Sequence, residues 1–254
     1  MYMNIILLLE NVYVFIQNLL SYITGGTKCL SCGIKCLALP LCKKCKSLIS
    51  DFKSFSIVNR NRCSACGKIL LSEISVCNQC RNLEKPRIVK EYFPLHSYRL
   101  WKKDLMYYWK SKNVRSLSLF FANLIYKALI HVQKERNLSF DCIVPVPPRK
   151  GKIKKKGWDQ IDELCKILSS KYKVKIANLL VRYDSREQKK KNREERKDKN
   201  GAEYGLKKGE YRNFNKVLLL DDVITTGSTM EKCAQLLKNG GIDEIYGMSL
   251  FIVD

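Results

Sequence analysis

The residues best suited to chemistry here are cysteines. Twelve occur, nine of them between positions 29 and 80. Eight form four CxxC pairs: Cys29/Cys32, Cys42/Cys45, Cys63/Cys66 and Cys77/Cys80. Nine residues separate the first two pairs and ten separate the last two. A CxxC turn presents two sulfurs to one ion, and two such turns complete a tetrahedral zinc site with no open position. Two structural Zn2+ ions are therefore expected, stabilising a module too small for a core of its own. Sequential pairing makes the two halves repeats of one short ribbon. Pairing Cys42/Cys45 with Cys63/Cys66 across seventeen residues is also an acceptable spacing. Cys36 is left spare in the sequential version. Gly33 and Gly67 each follow the second cysteine of a pair, where a knuckle favours a residue tolerant of positive φ.

A second chemistry lies near the C-terminus, where residues 216–229 read Lys-Val-Leu-Leu-Leu-Asp-Asp-Val-Ile-Thr-Thr-Gly-Ser-Thr. Backbone N–H groups of Thr225, Thr226, Gly227, Ser228 and Thr229 at a helix N-terminus would cradle a phosphate dianion. Gly227 permits close backbone approach, and the hydroxyls add donors. Asp221 and Asp222 would repel that phosphate unless they bind something else. Vicinal ribose hydroxyls fit, because carboxylates accept both protons. Phosphate and diol together describe a ribose 5-phosphate group.

The elements that must position these groups can be read around them. Val217–Leu220 is a short apolar run of the kind found in buried parallel strands, ending at the two acids. Met230–Lys238 has helical spacing and is closed by Asn239-Gly240-Gly241. Residues 245–252 form another strand-like run. This strand–loop–helix–strand order puts ligand chemistry at the carboxyl end of a strand in an α/β fold. Residues 117–135 read as a long helix that includes His131. The aromatic residues at 98–109 read as core rather than as a base-stacking platform, and His96 carries no motif.

At 254 residues and 46% hydrophobic composition, the chain is neither wholly disordered nor a multi-span membrane protein. Its formal charge of +23 suits phosphate-bearing partners, although a Lys-rich composition bias would give the same excess. Two four-thiolate zinc sites would lower this charge to about +19. Residues 3–23 are long enough to span a bilayer, but Glu10, Asn11, Gln17 and Asn18 fall on one helical face. No basic stretch precedes the apolar run, which argues against a secretory signal. An amphipathic helix is expected over residues 1–27, docked on the protein or lying on a membrane surface.

The 216–229 segment resembles the PRPP-binding motif of type I phosphoribosyltransferases. Val144-Pro145-Val146-Pro147, followed by Gly157-Trp158-Asp159-Gln160, resembles the ComF competence family, as does the cysteine-rich N-terminal region. Trp158 and Asp159 stand where that family usually has Phe and Asn. Gln188–Tyr204 resembles its Gln-rich, Arg- and Glu-containing stretch, keeping Gln188, Arg193, Glu195 and Arg196. Lys191 and Asn192 depart from the usual Leu and Ser. The resemblance implies a double zinc ribbon over 28–85. It also implies a type I phosphoribosyltransferase-like domain over 86–254, a parallel sheet flanked by helices.

Two basic runs take their roles from the same resemblance. Arg149–Lys156 has six basic residues in eight, and Arg186–Lys199 has eight basic and four acidic residues. Taken alone they are solvated loops. In the family the first lies near the ligand and the second closes over the diphosphate. Lys152, Lys156, Arg193 and Arg196 are thus candidate diphosphate contacts, and Lys110 is a weaker one. PRPP chemistry usually adds Mg2+. Purine-salvage members of the superfamily often place an Asp four residues after the first acid, where it can act as general base. Here that position is Thr225, which disfavours that route.

The ComF resemblance implies a cytoplasmic protein that supports DNA uptake in natural transformation. It would bind PRPP or a related phosphoribosyl ligand and handle single-stranded DNA beside uptake proteins at the inner membrane. The alternatives are a phosphoribosyltransferase of nucleobase or nucleotide metabolism, and a zinc-stabilised interaction module that uses PRPP as a signal. No acceptor pocket can be recognised in the sequence.

Overall fold

The computed structural model describes residues 12, 16, 27–36, 40–50, 61–70, 75–82, 87–98, 101–148, 157–183, 204–207 and 213–253. In chain order the elements are β1 (Thr27–Lys28), β2 (Lys35–Cys36), α1 (Lys43–Ser50), α2 (Asn78–Arg81), β3 (Tyr92–Ser97), α3 (Trp101–Lys110) and α4 (Ser116–Arg136). There follow β4 (Cys142–Pro145), α5 (Gln160–Tyr172), β5 (Leu180–Arg182), β6 (Tyr204–Leu206), β7 (Lys216–Ile224), α6 (Ser228–Asn239) and β8 (Glu244–Ile252). The chain divides into two compact units, residues 1–54 with 99–120 and residues 55–98 with 121–254. The two four-cysteine groups fall one in each unit.

In the first unit β1 and β2 form a minimal antiparallel ribbon around the first knuckle, with Thr27 opposite Cys36. The expected N-terminal helix lies outside the described residues except at Val12 and Ile16. Both are helical, exposed and four positions apart, hence on one face. Trp109 is fully buried and donates from Nε1 to Ser118 Oγ (2.8 Å), so it is core. Tyr107 is exposed. No helix among the described residues is long and apolar enough to cross a membrane.

The second unit is built on a four-stranded sheet, order β3-β8-β7-β4, all parallel. Val217, Leu218, Leu219 and Leu220 are each 0% exposed, as a strand covered on both faces requires. Val144, Val217, Leu219 and Ile245 form one core with Met230, Cys233, Ala234 and Leu237, the apolar stripe of α6. The Val, Leu, Ile and Met side chains among these each contribute roughly 1.5–3 kcal/mol by leaving water. Residues 121, 124, 125, 128, 129 and 132 give α4 its buried stripe, and Phe121 meets Phe251 edge-on. Tyr126 stacks on Tyr172 at 4.2 Å and so joins α4 to α5, which packs on β4 and β7.

Local signals fix the ends of the helices. Asp159 caps α5, its Oδ1 accepting from Ile161 N (3.0 Å) and Asp162 N (3.1 Å). Asp at this position does what an Asn would, since both are strong N-caps. Trp158 and Gln160 beside it are buried. Lys173, at φ 57°, ends the same helix.

Candidate phosphate site and metal centres

The sequence places the end of β7 at the acids, but the strand runs on to Ile224. The two sides of β7 differ. Its ladder with β4 stops at Pro145 and Leu220, and the last bond on that side is Val146 N to Leu220 O (2.9 Å). Its ladder with β8 continues through Asp221 opposite Ser249 to Ile224 opposite Ile252. Asp221 and Asp222 are thus held in a rigid strand yet stand beyond the carboxyl end of β4, partly exposed. The Asp222 N–H donates to Asp221 Oδ1 at 2.8 Å, which fixes one carboxylate against the backbone.

Thr225, Thr226 and Gly227 make the turn, and α6 begins at Ser228, two residues earlier than its apolar spacing suggests. Gly227 is the N-cap residue at φ 80°. A Cβ there would stand 2.5 Å from Arg87 Nη1. Thr225, Thr226 and Ser228 are exposed. Ser228 N–H donates to Thr226 Oγ1 (3.3 Å), and Thr226 Oγ1–H donates to Ser228 Oγ (3.1 Å). The loop therefore offers hydroxyls at the positive end of a three-turn helix, an arrangement suited to an anion.

A hairpin flanks this loop. β5 and β6 pair antiparallel, with Arg182 opposite Tyr204, and the Arg182 guanidinium lies 5.0 Å over the Tyr204 ring. Burial raises the Tyr204 hydroxyl above its ordinary range, and the nearby Asp221 charge adds to this, while Arg182 and a hydrogen bond with Thr229 oppose it. The ends of the hairpin are thus pinned beside both the acids and the phosphate loop. The basic segment 186–199 joins these two strands. Arg193 and Arg196 lie outside the described residues, as do Lys152 and Lys156. Lys110 is the last residue of α3 in the other unit.

The eight CxxC cysteines form two groups, Cys29/Cys32/Cys42/Cys45 and Cys63/Cys66/Cys77/Cys80. Within each group all four sulfurs lie within 4.8 Å of one another. A tetrahedral zinc with bonds of about 2.3 Å needs sulfurs about 3.8 Å apart. Cys32 and Cys42 stand at 3.7 Å, and Cys66 and Cys77 at 3.8 Å, so the donor set fits Zn2+. This is the sequential grouping, with Cys36 outside it.

The two groups share several bonds. Gly33 N donates to Cys29 O and Gly67 N to Cys63 O, both at 2.8 Å. Cys42 N donates to Cys29 Sγ and Cys77 N to Cys63 Sγ, both at 3.3 Å. Burial pushes the Cys29 and Cys63 thiols up, but backbone N–H donors outweigh it and bring them down to about 6 and about 7. Burial pushes Cys66 well above its ordinary range, and the negative charges of Cys63 and Cys80 push it further. Four thiolates this close require a cation between them.

The repeats differ in their surroundings. A Cβ on Gly33 (φ 73°) would meet none of the described residues within 4 Å, whereas a Cβ on Gly67 (also φ 73°) would meet Pro94 Cδ at 2.5 Å and Tyr92 O at 2.6 Å. The buried Arg62 donates from Nη1 to Gly67 O (2.7 Å) and Pro94 O (3.2 Å). The second knuckle is therefore packed directly on β3.

Three residues without a signal in the sequence complete this region. Arg87 Nη2 reaches Cys80 Sγ (3.5 Å) and Thr226 O (3.2 Å). Glu231, in the first turn of α6, accepts from Ile88 N (2.7 Å) and from the Tyr92 hydroxyl (2.5 Å) and pairs with Arg87 at 3.6 Å. Arg87 also lies 5.3 Å from the centre of the Tyr92 ring. The only hint available beforehand was an acid in the first turn of a helix, where the dipole favours it.

Residues 154–250 match the model of the phosphoribosyl transferase domain. Over 215 residues the chain is 27% identical to competence protein F of Haemophilus influenzae, covering 81% of this chain and 87% of that protein. Over 212 residues it is 27% identical to competence protein ComFC of Streptococcus pneumoniae, covering 83% and 86% respectively. With two four-cysteine groups ahead of a phosphoribosyl transferase domain, the chain is similar over most of its length to both of these competence proteins.

Proposed function

We propose that the chain binds PRPP or a related phosphoribosyl ligand with Mg2+ and supports DNA uptake in transformation by handling single-stranded DNA. The observation that carries the ligand reading is the one-sided extension of β7. It holds two carboxylates beyond the end of β4, two strand residues before a Thr-Thr-Gly-Ser-Thr loop at a helix N-terminus in which Thr225, Thr226 and Ser228 are exposed. The loop takes the 5-phosphate through backbone N–H groups and hydroxyls. Asp221 and Asp222 accept from the ribose hydroxyls. They are also the oxygen donors that would hold Mg2+ against the diphosphate. Arg193 and Arg196, on the segment joining Arg182 to Tyr204, and Lys152 and Lys156, just after β4, would neutralise the diphosphate.

The relatives' names supply the competence context, and the charge of +23 supplies the affinity for a nucleic-acid backbone. Calorimetry with PRPP, with and without Mg2+, tests the ligand: saturable binding that tightens with Mg2+ is expected, and no heat under either condition overturns it. A parallel turnover assay with PRPP and a panel of nucleobases tests the metabolic alternative. Release of diphosphate with any base would favour that alternative.

A further inference from the structure

The second four-cysteine group and the phosphate loop touch the same side chain. Arg87 sends one nitrogen toward Cys80 Sγ (3.5 Å) and Thr226 O (3.2 Å), while its other terminal nitrogen lies where a Cβ on Gly227 would clash. The Thr226 carbonyl oxygen carries partial negative charge, and a filled four-thiolate zinc site keeps a formal −2, so both suit a guanidinium. The guanidinium, largely removed from water, is held from a third side by Glu231. Glu231 in turn anchors the backbone at Ile88 and the Tyr92 hydroxyl. Gly247 lets Tyr92 and Met230 approach β8, since a Cβ there would stand 2.8 Å from Tyr92 Cδ1 and 3.0 Å from Met230 Sδ. The whole connection lies inside the second unit.

We infer that Arg87 is a positioning residue that makes the Cys63/Cys66/Cys77/Cys80 centre a structural part of the phosphate loop, so that loop order and metal retention at that centre depend on each other. The link acts through the carbonyl of Thr226. Arg87 fixes that peptide plane, and with it the N–H of Gly227 that follows. Coupling of this kind is reciprocal: whatever orders the loop must slow metal loss, and loss of the metal must loosen the loop. The consequence for ligand binding rests on the phosphoribosyl reading above. The coupling itself does not.

The test uses the full chain as wild type, Arg87→Gln and Arg87→Lys, each checked for total zinc. Hydrogen exchange is read for the 225–231 amides against the β4 and β8 amides, and zinc release is read with a chromophoric chelator. In Arg87→Gln the loop amides should exchange about tenfold faster, as expected when a charge-assisted hydrogen bond is removed, with the sheet amides unchanged. One of the two zinc ions should leave faster while the other leaves at the wild-type rate, the first group serving as internal control. Arg87→Lys keeps the charge without the fork and should fall between. Should Arg87→Gln not fold, wild type treated with chelator gives the same reading, because loop exchange should then accelerate as the second ion leaves. Loop exchange that stays at the wild-type rate in folded Arg87→Gln, or that ignores zinc loss in the wild type, overturns the inference. PRPP calorimetry on the same proteins separates the two claims. If wild type binds no PRPP, the ligand reading fails while exchange and zinc release still decide the coupling. If wild type binds, Arg87→Gln should bind about tenfold more weakly.

Discussion

At Gly227 two constraints coincide: a left-handed backbone at φ 80°, and an arginine occupying the space where a side chain would go. Left-handed φ alone costs an L-residue roughly 1–2 kcal/mol. Gly227→Ala should therefore lower stability by at least that amount in thermal denaturation. It should weaken PRPP binding further, because displaced Arg87 releases Thr226. Thr229→Ala should weaken PRPP less than loss of the acids does, since backbone amides supply most of a helix-terminus phosphate site. Only part of this was legible from the sequence. The need for glycine was, because a phosphate loop at a helix start asks for close backbone approach. Arg87 was not, because it lies 139 positions from Thr226 and only the packing of the second knuckle on β3 brings them together.

Among the elements, the sequence indicated the type of β7, α6, β8 and α4 well and their ends less well. β7 outruns its apolar stretch because β8 pairs with it through Ile224, and backbone pairing does not depend on hydrophobicity. The two knuckles read as equivalent repeats and share most internal bonds, yet among the described residues only a Cβ on Gly67 would meet another group. Gly33→Ala and Gly67→Ala should therefore separate. Both pay for positive φ, but Gly67→Ala also drives into backbone and proline atoms of β3 and should cost more in denaturation and zinc retention. Cys63→Ser should release one of the two zinc ions and unfold its knuckle, because a closed four-ligand site has no spare donor. At the other end of the sheet, Asp141 accepts from Asn215 N (2.7 Å) and Lys216 N (2.8 Å), and these bonds hold its carboxyl below the usual range. A lowered folded value means that this contribution is present above the unfolded carboxylate value and is lost as pH falls through the folded one. Asp141→Asn should therefore flatten the stability profile below about pH 4, where the unfolded carboxylate titrates.

On the scale of the whole molecule, composition and motif order led to the correct fold class: parallel sheet, flanking helices and cysteine groups ahead of them. The division into two compact units that each hold one cysteine group was not legible, because the units are discontinuous and no linker composition marks them. On the proposed reading the charge excess serves nucleic-acid binding. Affinity for single-stranded DNA should fall steeply with salt, in proportion to the phosphates neutralised. Replacing Lys189, Lys190 and Lys191 together by Gln should flatten that dependence, and unchanged binding at every salt concentration would assign those lysines to solvation. The ligand claim is tested most directly by calorimetry of PRPP with Mg2+ against wild type and the Asp221→Asn, Asp222→Asn double variant, with circular dichroism confirming the fold. At roughly 1.5–3 kcal/mol for each charged hydrogen bond lost, the double variant should lose PRPP binding a hundredfold or more. A double variant that binds PRPP as well as wild type does would show that these carboxylates are not ribose ligands, contradicting the assignment of the site.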